Sequence, residues 1–86
     1  MSIPFIINFF GGIAMIIFKD HLRKIRKSKK ATQKDVAIAV GVSERNYQDW
    51  EYGNIKPGFD ALVTLADYFD VSLNYLVGRS DDPTRH

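Results

Sequence analysis

Thr32–Gly53, TQKDVAIAVGVSERNYQDWEYG, is the stretch that decides the fold. Its first half sets Val36, Ala37 and Val40 at helical spacing, one apolar stripe. Thr32 ahead of it suits an N-cap, and Asp35 follows at the spacing of a capping box. Gly41 then supplies a residue that tolerates the positive φ at which helices end. The second half opens on a further cap, Ser43, and runs into Glu44, Arg45 and Asn46, a polar cluster with no core to face. Tyr47, Trp50 and Glu51 fall on its inward side, and Gly53 stops it. Only about three residues separate the two helices. So short a turn makes them cross steeply, and the crossing needs a small side chain, which Ala37 provides. That is the logic of a helix-turn-helix unit.

Outward from this unit the helical pattern continues. Phe18, Leu22 and Ile25 form one apolar stripe with Lys and Arg on the other faces, and SKKAT ends that helix. NIKPG is a loop punctuated by Pro57 and Gly58. A fourth helix over about residues 59–69 carries Leu62, Leu65, Ala66 and Phe69. Asp70 or Ser72 starts a short fifth helix with Leu73, Tyr75 and Leu76, closed by Gly78. RSDDPTRH is then a polar, frayed tail. Five short helices with brief connections predict a compact all-α domain over 15–78, with an apolar N-terminal extension at 1–14 and a tail at 79–86. Eighty-six residues make one small domain with little room for both a core and an enclosed catalytic pocket.

The charge is uneven. Residues 19–34 hold eight of the twelve Lys/Arg and a single acid, Asp20, a net +7, whereas the whole chain carries only +2. A concentrated basic segment points to a polyanion partner, with a solvated helix face as the plainer reading. Lys27, Lys29, Lys30 and Lys34 lie beside the start of the second helix, where they would flank a sugar-phosphate backbone. Cysteine is absent, which excludes disulfides and thiolate zinc sites and suits a reducing cytoplasm.

The opening MSIPFIINFFGGIAMIIF has no charge before Lys19. It lacks the basic start and cleavage site of a secretory signal. It is short for a membrane span, which needs roughly 20 apolar residues, and Pro4, Asn8 and Gly11-Gly12 interrupt it. Three readings stand. It is a packing or dimerisation arm, with PFIINFF as a short strand; an idle extension ahead of an alternative start at Met15; or a membrane anchor, the least favoured.

The outward residues of the third helix have the chemistry of base readers. Arginine offers two donors to guanine, Asn or Gln can bridge adenine, and Glu or Asp can accept from the cytosine amino group. In a helix-turn-helix the first helix braces across the backbone and the second presents its N-terminal residues to the major groove. Residues 18–78 resemble the lambda-repressor-like family, also called Cro/repressor or XRE-type helix-turn-helix domains. The resemblance rests on LRKIRKSKKATQKDVAIAVGVSERNYQDWEYGNIKP and ALVTLADYFDVSLNYLVG.

The resemblance implies a sequence-specific regulator of transcription, usually a repressor, that binds double-stranded DNA as a homodimer on a two-fold symmetric operator; separately, a cytoplasmic location and no cofactor are expected. It implies that Ser43, Glu44, Arg45, Asn46, Gln48 and Asp49 are the base-reading face. Gln33 matches a residue whose amide holds a phosphate, and Asn54–Gly58, with Lys56, a second phosphate clamp. Lys30 and Lys34 join these phosphate contacts. Arg26 matches an arginine that pairs with Glu51 and stays near the phosphates. Two departures stand out. Tyr47 replaces a smaller aliphatic residue, and the acids Glu44 and Asp49 sit where phosphate would repel them. The alternatives are an antitoxin-type module with a regulatory protein partner, or a membrane-tethered regulator.

Nothing favours an enzyme. His21 reads as a surface residue of the basic helix, His86 is terminal, and no zinc-helix, phosphate-loop or nucleophile-elbow pattern occurs.

Overall fold

Thr32 and Asp35 show how local chemistry sets the element boundaries. In the structure, a computed structural model that describes residues 11–79 and 82–84, the Thr32 hydroxyl accepts from the Asp35 N–H at 3.0 Å. The Asp35 carboxylate accepts in return from the Thr32 N–H, also at 3.0 Å. This is a complete capping box, and it occupies two of the donors a helix start leaves open. The Thr32 backbone N–H and then its hydroxyl hold the Asp35 carboxyl below the usual carboxylate range.

The described residues form α1 (Gly11–Ser28), α2 (Gln33–Val40), α3 (Glu44–Tyr52), α4 (Phe59–Phe69) and α5 (Leu73–Leu76), with no strand among them. α2 packs on α3 and α4, while α1 packs on α3 and α5. The stripe Phe18, Leu22 and Ile25 is buried as its spacing predicts, against Val36 and Ala37 of α2 and Tyr47 and Trp50 of α3. Leu65, Ala66 and Phe69 of α4 and Leu76 of α5 close the core. Tyr47 and Trp50, both of α3, meet edge-to-face, 5.8 Å between ring centroids, and their burial in the core seats α3 on the body.

The turn between α2 and α3 is Gly41, Val42 and Ser43. Gly41 lies at φ 80°, and the Val42 N–H reaches back to the Ala37 carbonyl at 3.0 Å. A side chain on Gly41 would be strained there by conformation alone, since nothing crowds the position. Ser43 caps α3 by accepting from the Asn46 N–H at 3.0 Å. At the far end Gly53 lies at φ 81°, where a side chain would again be strained; a Cβ there would also press on Lys19 Cδ at 2.7 Å, but that flexible side chain can give way.

Several expectations change. α1 begins at Gly11, not at Phe18, and runs through residue 14 without a break. Residues 11–17 contain no polar residue, so they carry no amphipathic signal by which a helix start could be found. The strand expected at PFIINFF lies outside the described residues. Ser72 caps α5, accepting from the Tyr75 N–H, and Asp70 instead closes α4 in the left-handed region. Of the tail, residues 82–84 are not frayed: the Ser72 N–H donates to the Pro83 carbonyl at 3.0 Å. His21 is no simple surface residue. Its ring packs edge-on to Tyr75 with centroids 4.8 Å apart, and its Nε2 is buried without a hydrogen-bond partner. No helix among the described residues is long and apolar enough to cross a membrane.

Candidate nucleic-acid interface

The site is built around one buried charge. Glu51, near the end of α3, is 0 % exposed. Its Oε2 accepts from Arg26 Nε at 2.6 Å and from the Tyr47 hydroxyl at 2.5 Å. Its Oε1 accepts from Arg26 Nη2 and from Gln33 Nε2, each at 3.1 Å. The carboxylate thus holds α1, α2 and α3 together through four charge-assisted bonds. Burial works to raise its pKa, but the hydrogen bonds from Arg26, Tyr47 and Gln33 outweigh burial and hold it below the usual carboxylate range. The same contacts act in reverse on their partners. The hydrogen bond to Glu51 raises the Arg26 pKa, and burial followed by the bond to Glu51 raises that of the Tyr47 hydroxyl. The expected Arg26–Glu51 pair is therefore formed.

Arg26 has few donors left for another partner. Its Nη1 also donates to the Ala31 carbonyl at 3.0 Å, and its side chain is 12 % exposed. The neighbouring Arg23 is different. Its Nη2 donates to the Glu51 carbonyl at 3.3 Å, yet 40 % of the side chain remains exposed. Sequence reasoning missed Arg23. Its position three residues before Arg26, on the same helix face, was the available signal.

The outward face of α3 begins with Ser43, Glu44 and Arg45, all exposed; Asn46 and Gln48 are half-buried. Arg45 is 82 % exposed, with Nε 3.6 Å from Asp49 Oδ1 one turn on. Asp49 itself is only 15 % exposed and also accepts from Asn54 Nδ2 at 3.3 Å. It is therefore not a free acid on the reading face, because the loop after α3 folds back over it. The Asn54 N–H donates to the Asp49 carbonyl at 2.9 Å. Glu44 is the acid that stays exposed, at a helix N-terminus where negative charge is favoured.

Gln33 stands at the first position of α2 and joins the two groups of residues. Besides donating to Glu51, it accepts through Oε1 from Gln48 Nε2 at 3.2 Å. Lys30 and Lys34 are exposed on either side of this helix start, and Lys56 is exposed in the loop after α3. The fold thus sets Gln33, at the start of α2, against Gln48 and Glu51 in the second half of α3, with Lys30 and Lys34 beside it in sequence and Asn54 and Lys56 in the loop that follows α3. Among the described residues no cluster of His, Cys, Asp or Glu is placed to hold a metal ion.

Comparison with known proteins bears on the family and the fold. A family model described as Helix-turn-helix fits residues 22–76. The chain is 37 % identical over 67 residues to the uncharacterized HTH-type transcriptional regulator YobD of Bacillus subtilis (strain 168), covering 78 % of this chain and 60 % of that one. It is 36 % identical over 67 residues to YqaE, likewise named an uncharacterized HTH-type transcriptional regulator of that strain, covering 77 % and 58 %. It is 34 % identical over 61 residues to the cryptic phage CTXphi transcriptional repressor RstR of Vibrio cholerae, covering 71 % and 54 %. The chain therefore spans little more than half the length of these relatives. Among solved structures, the SOS-response transcriptional repressor LexA from Eubacterium rectale superposes with a TM-score of 0.69 at 28 % identity, covering 73 % of this chain and 67 % of that one.

Proposed function

The chain belongs to the XRE-type helix-turn-helix family, and from that premise we propose that it is a sequence-specific DNA-binding regulator of transcription, acting as a repressor. In this reading α3 enters the major groove, and two copies bind a two-fold symmetric operator with their recognition helices about 34 Å apart. The observation that carries the reading is the face of α3. Arg45 and Glu44 stand out from a helix whose opposite side is locked into the core by Tyr47, Trp50 and Glu51. The relatives, named as HTH-type transcriptional regulators and a transcriptional repressor, support the regulatory role. Tyr52, Ile55 and Phe59, exposed large apolar residues after the reading face, support a contact between protein copies.

Each residue then has a separate part. Arg45 gives its terminal nitrogens to guanine, with Asp49 steadying the guanidinium from one turn away. Ser43, Glu44, Asn46 and Gln48 complete the base-reading set. Gln33, Lys30, Lys34, Asn54 and Lys56 take the phosphates, and the α2 N-terminus adds its backbone amides. Arg26 positions α3 through Glu51, while the more exposed Arg23 reaches the sugar-phosphate chain.

Titrating operator DNA tests this. Arg45→Ala should weaken the specific complex by about 1–3 kcal/mol and relax the base preference at one position. Lys34→Ala should weaken binding evenly on all sequences and lower the logarithmic salt slope by about 0.9 per bound copy. Unchanged operator affinity with Arg45, Asn46 and Gln48 all replaced by alanine would sink the assignment. A second protein that co-purifies in fixed ratio and blocks DNA would favour the antitoxin-type reading instead.

A further inference from the structure

Resting on the reading that two copies pair, but on no residue of α3, we propose that the groove between α4 and α5 is a docking surface for a second copy of this chain, and that the partner's apolar N-terminal segment, residues 3–10, lies in it.

The groove follows from the period of α4. Phe59, Val63 and Ala66 recur at i, i+4 and i+7, so they share one side of the helix. Val63 and Ala66, with Val71 and Leu73 beyond the α4–α5 turn, line a groove of about 360 Å³, and Asp67 and Asn74 are its polar members. Ala66 and Val71 are buried, whereas Val63 is 36 % exposed and Phe59, at the start of the row, is 68 % exposed. An apolar row that ends on an exposed phenylalanine is a surface for another chain to cover.

This protein carries a segment that fits. Residues 3–10, IPFIINFF, hold six large apolar residues among eight and no charge. Extended, eight residues span about 27 Å, more than the roughly 16 Å length of α4. The segment joins the body through α1, and α1 lies on the other side of α5. Tyr75 turns to His21 of α1, with ring centroids 4.8 Å apart, whereas Leu73 and Asn74 turn to the groove. The segment of the same copy therefore starts behind α5, and the groove is open to a neighbour's. Charge favours the same arrangement. α1 carries five Lys/Arg against one Asp, while residues 57–86, which hold the groove, carry five Asp against two Arg. A neighbour that inserts its segment brings its basic α1 toward this acidic half. In a two-fold pair each copy gives one segment and receives one, so the contact closes at two copies.

The test measures pairing of full-length chains without DNA, by light scattering over a dilution series. The parent should be a dimer. Val63→Asp puts a charge in the groove wall at a position outside the core cluster, so the domain keeps its helical circular dichroism and its melting. Ile6→Asp with Phe9→Asp does the same to the segment. Each should raise the dimer dissociation constant by about tenfold or more. The deciding step is to mix the two. The Val63→Asp chain still has a segment and the other still has a groove, so the mixture should form a heterodimer tighter than either chain forms with itself.

A parent that stays monomeric overturns the proposal, as does a dimer that neither variant weakens. So does a mixture that pairs no better than its components, since the segment then covers its own groove or none. Binding of a monomeric parent to vesicles of phosphatidylcholine and phosphatidylglycerol, lost with Ile6→Asp and Phe9→Asp, would give the segment to a membrane and also overturn it. Each of these results leaves the DNA-reading face of α3 standing. A parent that pairs as described but selects no DNA sequence overturns that face and leaves this contact in place.

Discussion

Glu51→Ala should destabilise the domain by about 3–5 kcal/mol, the usual cost of removing one partner of a buried ion pair. The truncation leaves the Arg26 guanidinium, only 12 % exposed, without its counter-charge. It also leaves the Tyr47 hydroxyl and the Gln33 amide without their shared acceptor. A small domain has only about 5–15 kcal/mol in total, so urea denaturation should show a large fall in midpoint. Acid should mimic the substitution. The folded-state pKa of Glu51 is depressed, so its contribution is complete above the unfolded-state value of about 4.3 and fades as pH falls through the lower folded value. Glu51→Gln should flatten that part of the pH–stability curve. Replacing both partners, as Arg26→Met with Glu51→Leu, should recover much of the loss, because the pair's attraction is largely offset by desolvation. A Glu51→Ala midpoint within about 1 kcal/mol of the parent would show that the carboxylate does not organise the three helices.

The second large effect is at Tyr47, where a pair of substitutions separates packing from polarity. Tyr47→Ala should cost about 3–5 kcal/mol, since a fully buried ring is deleted from the face that seats α3. Tyr47→Phe keeps the ring and its edge-to-face contact with Trp50 and removes only the 2.5 Å bond to Glu51. That should cost about 1–3 kcal/mol, the range for one bond to a charged group. If the two variants lose equal stability in calorimetry or urea titration, the hydroxyl and not the ring is what Tyr47 contributes. The departure at Tyr47 noted from the sequence thus has a physical reason: the larger side chain fills the core and reaches a carboxylate one helical turn away on α3.

What could be read from the sequence was whatever depends on neighbours along the chain. Thr32 with Asp35, Ser43, Gly41 and Gly53 act within one turn, so their roles follow from spacing, and each caps as expected. The inward set of Tyr47, Trp50 and Glu51 follows from the helical period and is buried as that period requires. The start of α1 could not be seen, because a uniformly apolar run gives no period. Side-chain partners across helices were harder still. That Asp49 is tied down by Asn54, that Arg23 joins Glu51, and that Gln33 bridges Glu51 and Gln48 all depend on how α1, α2 and α3 meet in space. His21 against Tyr75 is the same case, since α5 has to fold back on α1 before the two rings touch.

The face of α3 as a reader of DNA is tested most directly by selecting bound sites from random double-stranded DNA. The parent should be run beside a folded variant carrying Arg45→Ala, Asn46→Ala and Gln48→Ala. The parent should enrich a two-fold symmetric sequence whose half-sites lie about 10 base pairs apart, centre to centre, and the variant should enrich none. No enrichment by the parent, or the same sequence enriched by the variant, would contradict it.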